Sequence, residues 1–181
     1  MLEAALGVFA RFGYRKTSMD EVARAAEISR QGLYLHFANK EELFRATVQF
    51  ALEGSLKGAL RALGSDDTLM NRLCGAYDEW IGRFVGTFEL DALDVMDAVT
   101  TLAGPTVETY ETQFLEAVAA TMREAGLVAA CKPAGLTARQ LAENLLITAV
   151  GLKHSCKARE EFREGCLLAV RVTCAPLAIA R

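Results

Sequence analysis

Apolar side chains recur at every third or fourth position through most of this chain, the spacing of helices that bury one face. No segment alternates with the two-residue rhythm of a half-buried strand, so the pattern predicts an all-α fold. Residues 1–13 form one such helix, amphipathic and interrupted by Glu3 and Arg11. Residues 17–37 read as two short helices joined by a tight turn. Thr17 and Ser18 are expected N-caps, because a hydroxyl accepts from the orphan amides of a first turn, and Ser18 with Glu21 fits a capping box. Met19, Val22, Ala23 and Ala26 share the inward face, Ile28 is the expected buried pivot of the turn, and Ser29 caps the second helix. Leu33 and Phe37 then point inward at i, i+4 spacing.

That register leaves Arg30, Gln31, Gly32, Tyr34 and His36 facing out. The set suits a DNA major groove: Arg and Gln can bond guanine and adenine edges in pairs, and glycine lets the backbone come close. Tyr and His can donate to phosphate oxygens. Tyr34 and His36 on a merely solvated helix are the competing reading, and the company of Lys40 favours the nucleic acid. Asn39, Lys40, Glu41 and Glu42 start the next helix with another capping box. Lys40 in that first turn opposes the helix dipole, and a docked phosphate would offset it.

Helix signals continue downstream. The helix from Lys40 is long and runs to Leu63 before Gly64, a natural C-cap. Ser65, Asp66 and Asp67 open a helix expected to reach about residue 85, and another covers roughly 88–102. Gly104-Pro105 is expected to break the chain and start a helix to about residue 125. Residues 127–136, with Pro133 and Gly135, form the main loop. Thr137 and Gln140 make a capping box for a helix to about residue 156, and Arg159-Glu160-Glu161 starts the last one.

Composition narrows the class. With 181 residues, 52% apolar and three prolines, the chain can bury a substantial core. The net charge of −3 divides unevenly: residues 1–46 carry seven Lys/Arg against six Asp/Glu, and the rest carry thirteen against seventeen. Non-specific DNA affinity should therefore be modest, with specificity coming from placed contacts. The five cysteines form no CxxC pair and read as free thiols of a reducing cytosol. No apolar run reaches the ~18 residues of a membrane span, and the charged first helix is no signal peptide, so the expected location is cytoplasmic. His154 and Cys156 point to different helix faces, and neither a metal nor a cofactor is expected.

Two aromatic stripes stand out. Leu73, Tyr77, Trp80 and Phe84 line one helix face, and Val107, Tyr110, Phe114 and Val118 line another. Such stripes are ordinarily core. Asp91, Asp94 and Asp97 recur every third residue and are expected to form a solvated acidic face, which only a cationic ligand would make functional. Nothing basic near Cys166 or Cys174 in sequence supports redox sensing there. The last two helices are apolar nearly all round, and such helices need partners on more than one side, the second being a symmetry-related copy.

The N-terminal residues resemble the DNA-binding domain of the TetR family of transcriptional regulators. The match spans about Leu2 to Phe44 and is carried by Ala4-Ala5-Leu6, Phe9, Phe12-Gly13-Tyr14, Thr17-Ser18-Met19, Val22-Ala23, Ala26, Ile28-Ser29, Leu33-Tyr34, His36-Phe37, Lys40-Glu41 and Leu43-Phe44. The resemblance implies a three-helix helix-turn-helix DNA-binding domain over 1–46 and a larger helical ligand-binding and dimerisation domain over 47–181. It implies that Thr17, Ser18, Tyr34, His36 and Lys40 hold the DNA backbone, while Arg30, Gln31, Gly32 and Leu35 meet bases beside the cap Ser29. It makes Tyr77, Trp80, Phe84, Met96, Tyr110 and Phe114 the wall of a pocket for a small, mostly apolar effector. It implies a homodimer, here assigned to Leu145, Ala149, Leu152, Cys166, Val170 and Cys174, with recognition helices about one DNA turn (~34–36 Å) apart on an operator.

Two departures accompany the match: Glu27 stands where many relatives place glycine, and the sequence begins almost at its first helix, so the basic arm of many relatives is either lacking or lies before it. A left-handed Glu27 would cost roughly 1 kcal/mol. The function implied is a regulator, most often a repressor, released from DNA by its effector, with Lys40–Leu63 as the lever. The alternative is a ligand- or protein-binding helical module with a vestigial DNA-binding head. An enzyme is not expected: there is no H-E-x-x-H, G-x-S-x-G, P-loop or G-x-G-x-x-G, and only two histidines.

Overall fold

The computed structural model describes residues 1–87 and 92–179, and every regular element among them is a helix or a helical turn. In chain order these are α1 (Leu2–Lys16), α2 (Met19–Ala25), α3 (Arg30–Tyr34), α4 (Lys40–Leu63), α5 (Leu69–Trp80), α6 (Ala92–Glu124), α7 (Leu127–Ala130), α8 (Ala138–Ser155) and α9 (Arg159–Ile179). Short 3-10 turns lie at Gly82–Phe84 and Lys132–Ala134. The chain divides into two compact units, Met1–Gly54 with Thr87–Thr109 and Ser55–Gly86 with Tyr110–Arg181, so α4 and α6 contribute residues to both.

In the first unit, α1 places Glu3 in its first turn and Arg15 and Lys16 in its last, the arrangement the helix dipole favours. It kinks at Gly13, whose φ of 80° suits glycine. The Thr17 hydroxyl donates to the Gly13 carbonyl at 2.6 Å, so Thr17 closes α1 instead of capping α2. Ser18 alone caps α2, accepting from the Glu21 amide while Glu21 accepts from the Ser18 amide at 2.7 Å. After α2 the chain reverses through Glu27, whose φ of 56° is the left-handed conformation usually given to glycine. Ile28 is not the buried pivot expected: it is 36% exposed, and the turn is closed by its amide donating to Ala23 O at 3.0 Å. The core is filled by Ala5, Phe9, Val22, Leu33, Leu43 and Phe44, joined by Val95 and Ala98 of α6. Phe44 meets the Phe9 and Tyr14 rings edge-on at 4.9 and 4.8 Å.

In the acidic row on α6, Asp94 is tied down, against the expectation of a solvated face, while Asp97 stays 66% exposed as expected. Asp94 accepts from the Arg15 amide at 2.8 Å and pairs with its guanidinium at 3.2 Å, and Asp97 takes the same guanidinium at 3.2 Å. Two carboxylates thus close the C-terminal end of α1; Asp91 and the expected helix start at Phe88 lie outside the described residues.

Three helix boundaries differ from the pattern. The α5 helix starts at Leu69 with Thr68 as cap, because the Asp67 carboxylate takes the Thr68 amide and the Asn71 side chain. It ends at Trp80, where Gly82 packs so closely that a Cβ there would run into Asp78 Oδ1 and the Phe162 ring. Finally, α6 does not break at Gly104-Pro105. Interior proline costs about 3 kcal/mol, but Pro105 is exposed, and so is Thr101, whose carbonyl loses its partner. Buried Val95, Ala98 and Ala103 before it and Phe114, Leu115 and Val118 after it hold the helix on course. The expected loop at 127–136 also contains a turn of helix, α7, entered through Gly126.

The second unit is built on α5, α8 and α9, with Leu73, Tyr77, Phe114, Met122, Leu127, Phe162 and Val170 fully buried. Asp78 of α5 is buried against α9, bonded by Arg159 Nε and Nη2 and by Arg163 Nε and Nη2 at 2.8–2.9 Å. Burial alone would raise this carboxyl, but the two guanidinium groups outweigh it and hold Asp78 below the usual carboxylate range.

Candidate functional site

The exposed face of α3 is the first candidate site. Ser29 caps the helix by accepting from the Gly32 amide at 3.0 Å, and Leu33, fully buried, anchors it from beneath. Gln31, Tyr34, Leu35 and His36 then face solvent together, with Leu35 81% exposed. An apolar side chain so exposed at a helix end gains nothing from its own fold. Arg30 is also outside, paired with Asp20 at 3.0 Å and lying over the Tyr34 ring at 5.6 Å. Gly32 is tight for another reason: a Cβ there would sit 3.2 Å from Ser29 Oγ, the capping atom.

The remaining predicted DNA contacts hold the protein's own backbone. Thr17 is buried and bonded to Gly13, and the Ser18 and Ser29 hydroxyls are engaged as caps. Lys40 Nζ donates to the Tyr14 and Arg15 carbonyls at 2.9 and 3.2 Å and lies 4.5 Å from the Tyr14 ring centre. Its unfavourable place at the start of α4 is therefore offset inside the chain, where it caps the negative end of α1.

The aromatic stripes meet in the second unit. Trp80 stacks on Phe114 at 4.8 Å with ring planes 8° apart, and Tyr77 meets Phe114 edge-on at 5.1 Å. The Tyr77 hydroxyl, fully buried, donates to Ala142 O at 2.7 Å, and burial keeps it protonated by pushing its pKa far up. Phe84 and Tyr110 are half-buried. Met96, expected in the same wall, belongs to the first unit and is exposed. One polar group that sequence reasoning missed is Ser55 of α4, whose buried hydroxyl has no hydrogen-bond partner among the described residues. A serine on a helix carries no signal of that kind. Also unforeseen is an open cleft of about 610 Å³ lined by Thr68, Leu69, Met70, Arg171, Cys174, Ala175 and Leu177.

The residues expected at a dimer interface divide differently. Leu145, Ala149, Cys166, Val170 and Cys174 are buried within the chain, because α8 and α9 pack these faces on their own unit, and Leu152 is half-buried. The apolar residues those helices leave open are Ile147 (72% exposed), Val150, Leu168 and Val172.

Comparison with known proteins matches the first part of this chain to a family. Residues 1–47 fit the N-terminal family model of bacterial regulatory proteins of the tetR family. An uncharacterized HTH-type transcriptional regulator of Bacillus subtilis, YfiR, is 40% identical over 57 residues, which is 32% of this chain and 28% of that protein. Such matched segments span about a quarter of the curated relatives' length. The TetR-family regulator PfmR from Thermus thermophilus is similar in fold, with a TM-score of 0.68 over 94% of this chain and 96% of its own, at 20% identity. So is AibR, solved with isovaleryl coenzyme A and operator DNA, with a TM-score of 0.64 over 92% of this chain and 93% of its own, at 19% identity. The helix-turn-helix geometry and the family match both fall on residues 1–47, which are similar to the N-terminal region of tetR-family regulators, and the fold along nearly the whole length is similar to that of TetR-family regulators.

Proposed function

We propose that this chain is a DNA-binding transcriptional regulator, a repressor released from its operator by a small, largely apolar effector. The observation that carries the reading is the α3 face, where Gln31, Leu35 and His36 stand in solvent on a helix capped by Ser29 and pinned by Leu33. Pre-ordered backbone loses little entropy on entering a groove. Gln31 would read an adenine edge and Leu35 a thymine methyl, while Tyr34 and His36 hold phosphates. Arg30 would reach guanine by leaving Asp20. Thr17, Ser18, Ser29, Gly32 and Lys40 support this surface through the backbone they hold.

Two copies are needed to double these contacts, with their α3 helices about one turn of DNA (~34–36 Å) apart. The exposed apolar positions of α8 and α9 favour joining through Ile147, Val150, Leu168 and Val172. An effector seated among Tyr77, Trp80 and Phe114 would part the ring stack, with Phe84 and Tyr110 beside it. AibR, which has this fold and is described with an acyl-coenzyme A, supports an effector with an acyl chain. A 100-fold preference for the released conformation supplies about 2.7 kcal/mol per site.

The test is a titration of the protein against DNA from upstream of its own gene at several salt concentrations. Affinity should fall steeply with salt, and Gln31→Ala should change base preference. Absence of DNA binding at low salt would leave the helical binding module as the reading. Trp80 is the chain's one tryptophan, so its fluorescence should shift when an acyl effector binds.

A further inference from the structure

Helices α5 and α9 of the second unit are antiparallel and in a register that three contacts fix independently. Gly82 lies against Phe162, Asp78 is bonded by Arg159 and Arg163, and Met70 shares a cleft wall with Arg171 and Cys174. Going back along α5 from Gly82 to Met70 therefore means going forward along α9 from Phe162 to Arg171. Cys74 falls midway on the first helix, four residues from both Asp78 and Met70. Cys166 falls midway on the second, three residues after Arg163 and five before Arg171. Cys74 shares its helix face with Met70 and Asp78 at four-residue spacing, and Cys166 follows Arg163 at three, so the register sets the two cysteines level with each other on the facing sides of α5 and α9.

We propose that Cys74 and Cys166 are a redox modification site, which a hydroperoxide converts to a reversible intrachain disulfide fastening α5 to α9. The two positions differ in the way such a site requires. Cys74 is half-buried and reachable by a small oxidant, whereas Cys166 is buried behind it. The hydrogen bond from Cys166, helped by the charge of Arg171, outweighs burial and holds the Cys74 thiol below its ordinary range. Cys166 is held far above it by that same hydrogen bond and by burial. Cys174 is a poor competitor, because burial pushes its thiol up to about 11.

The chemistry balances with one hydroperoxide. The Cys74 thiolate attacks a peroxide oxygen, the O–O bond breaks, and the departing alkoxide or hydroxide takes a proton to leave as alcohol or water. Cys74 is then a sulfenic acid. The Cys166 sulfur attacks the Cys74 sulfur, the S–O bond breaks, and hydroxide leaves as water with the Cys166 proton. Two thiols are oxidised by two electrons, and the peroxide is reduced by the same two. A thiol reductant reverses the link by exchange.

The test uses the full chain treated with one equivalent of hydrogen peroxide, alkylated, and digested with trypsin without reduction. Cleavage at Arg72 and Arg83, and at Arg163 and Arg171, separates Cys74, Cys166 and Cys174 into different peptides. The expected product is a Cys74–Cys166 linked pair, with two thiols lost per chain and both restored by dithiothreitol. Cys166→Ser should leave a dimedone-reactive sulfenic acid at Cys74. The wild-type peptide map stands even if that variant fails to fold. Linkage of Cys74 to Cys174 or Cys131, faster loss of Cys156, or retention of both thiols would overturn the proposal.

Discussion

Lys40 shows how one side chain can be read from its neighbours while its partners far along the chain go unseen. A lysine in the first turn of a helix needs a compensating anion or dipole, and the sequence suggests phosphate. The compensating groups are instead the last carbonyls of α1, 25 and 26 residues earlier in the chain. Lys40→Met keeps the apolar stem and removes the two bonds. It should lower stability by about 1 kcal/mol, measured as the midpoint of urea unfolding. It should also weaken DNA binding alike for every sequence, by loosening the end of α1. An unchanged midpoint with weakened DNA binding would return Lys40 to the phosphate. The Ser18–Glu21 and Thr137–Gln140 boxes were legible because each partner is three residues away. Thr17 was not, because its preference for Gly13 O over the α2 amides depends on the kink in α1.

Helices followed the apolar rhythm closely, and their ends followed local chemistry only where no distant element intervened. The limits of α4 and the start of α9 are those expected. The end of α5 is not, and its surroundings are only partly local: at Gly82 the Asp78 carboxylate of α5 and the Phe162 ring of α9 together leave no room for a Cβ. The same carboxylate makes an element-scale prediction. Its folded pKa lies below the unfolded value of about 3.9, so the stability it contributes is fully present above that pH. That contribution is lost as pH falls from about 4 through the lowered folded value. Asp78→Asn should therefore destabilise at pH 7 by about 2 kcal/mol, discounted because both arginines are half exposed, and by progressively less in acid. Thermal unfolding of both proteins between pH 3 and 7 checks it; curves that stay parallel down to pH 3 would contradict it.

At the scale of the molecule, two compact units share α4 and α6, and each unit draws on segments far apart in the chain. That grouping brings Val95 and Ala98 into the core around the helix-turn-helix, a contact no local pattern announces. The exposed stripe on α8 and α9 belongs to this scale too. Ile147→Asp with Leu168→Asp should yield a monomer by sedimentation and weaken DNA binding at least 100-fold, with helix content by circular dichroism unchanged. A dimer that survives both charges would place the interface elsewhere. What the sequence determined by itself is whatever depends on neighbours within a turn or two: helical rhythm, caps, the exposed chemistry of α3 and the family match. Tertiary structure alone decided which apolar face is core, what satisfies Lys40, Asp78 and Asp94, and which cysteines fall level with each other on α5 and α9. Those outcomes turn on hydrogen bonds and packing between residues tens of positions apart, and a periodic pattern shows that a face is buried without saying against what.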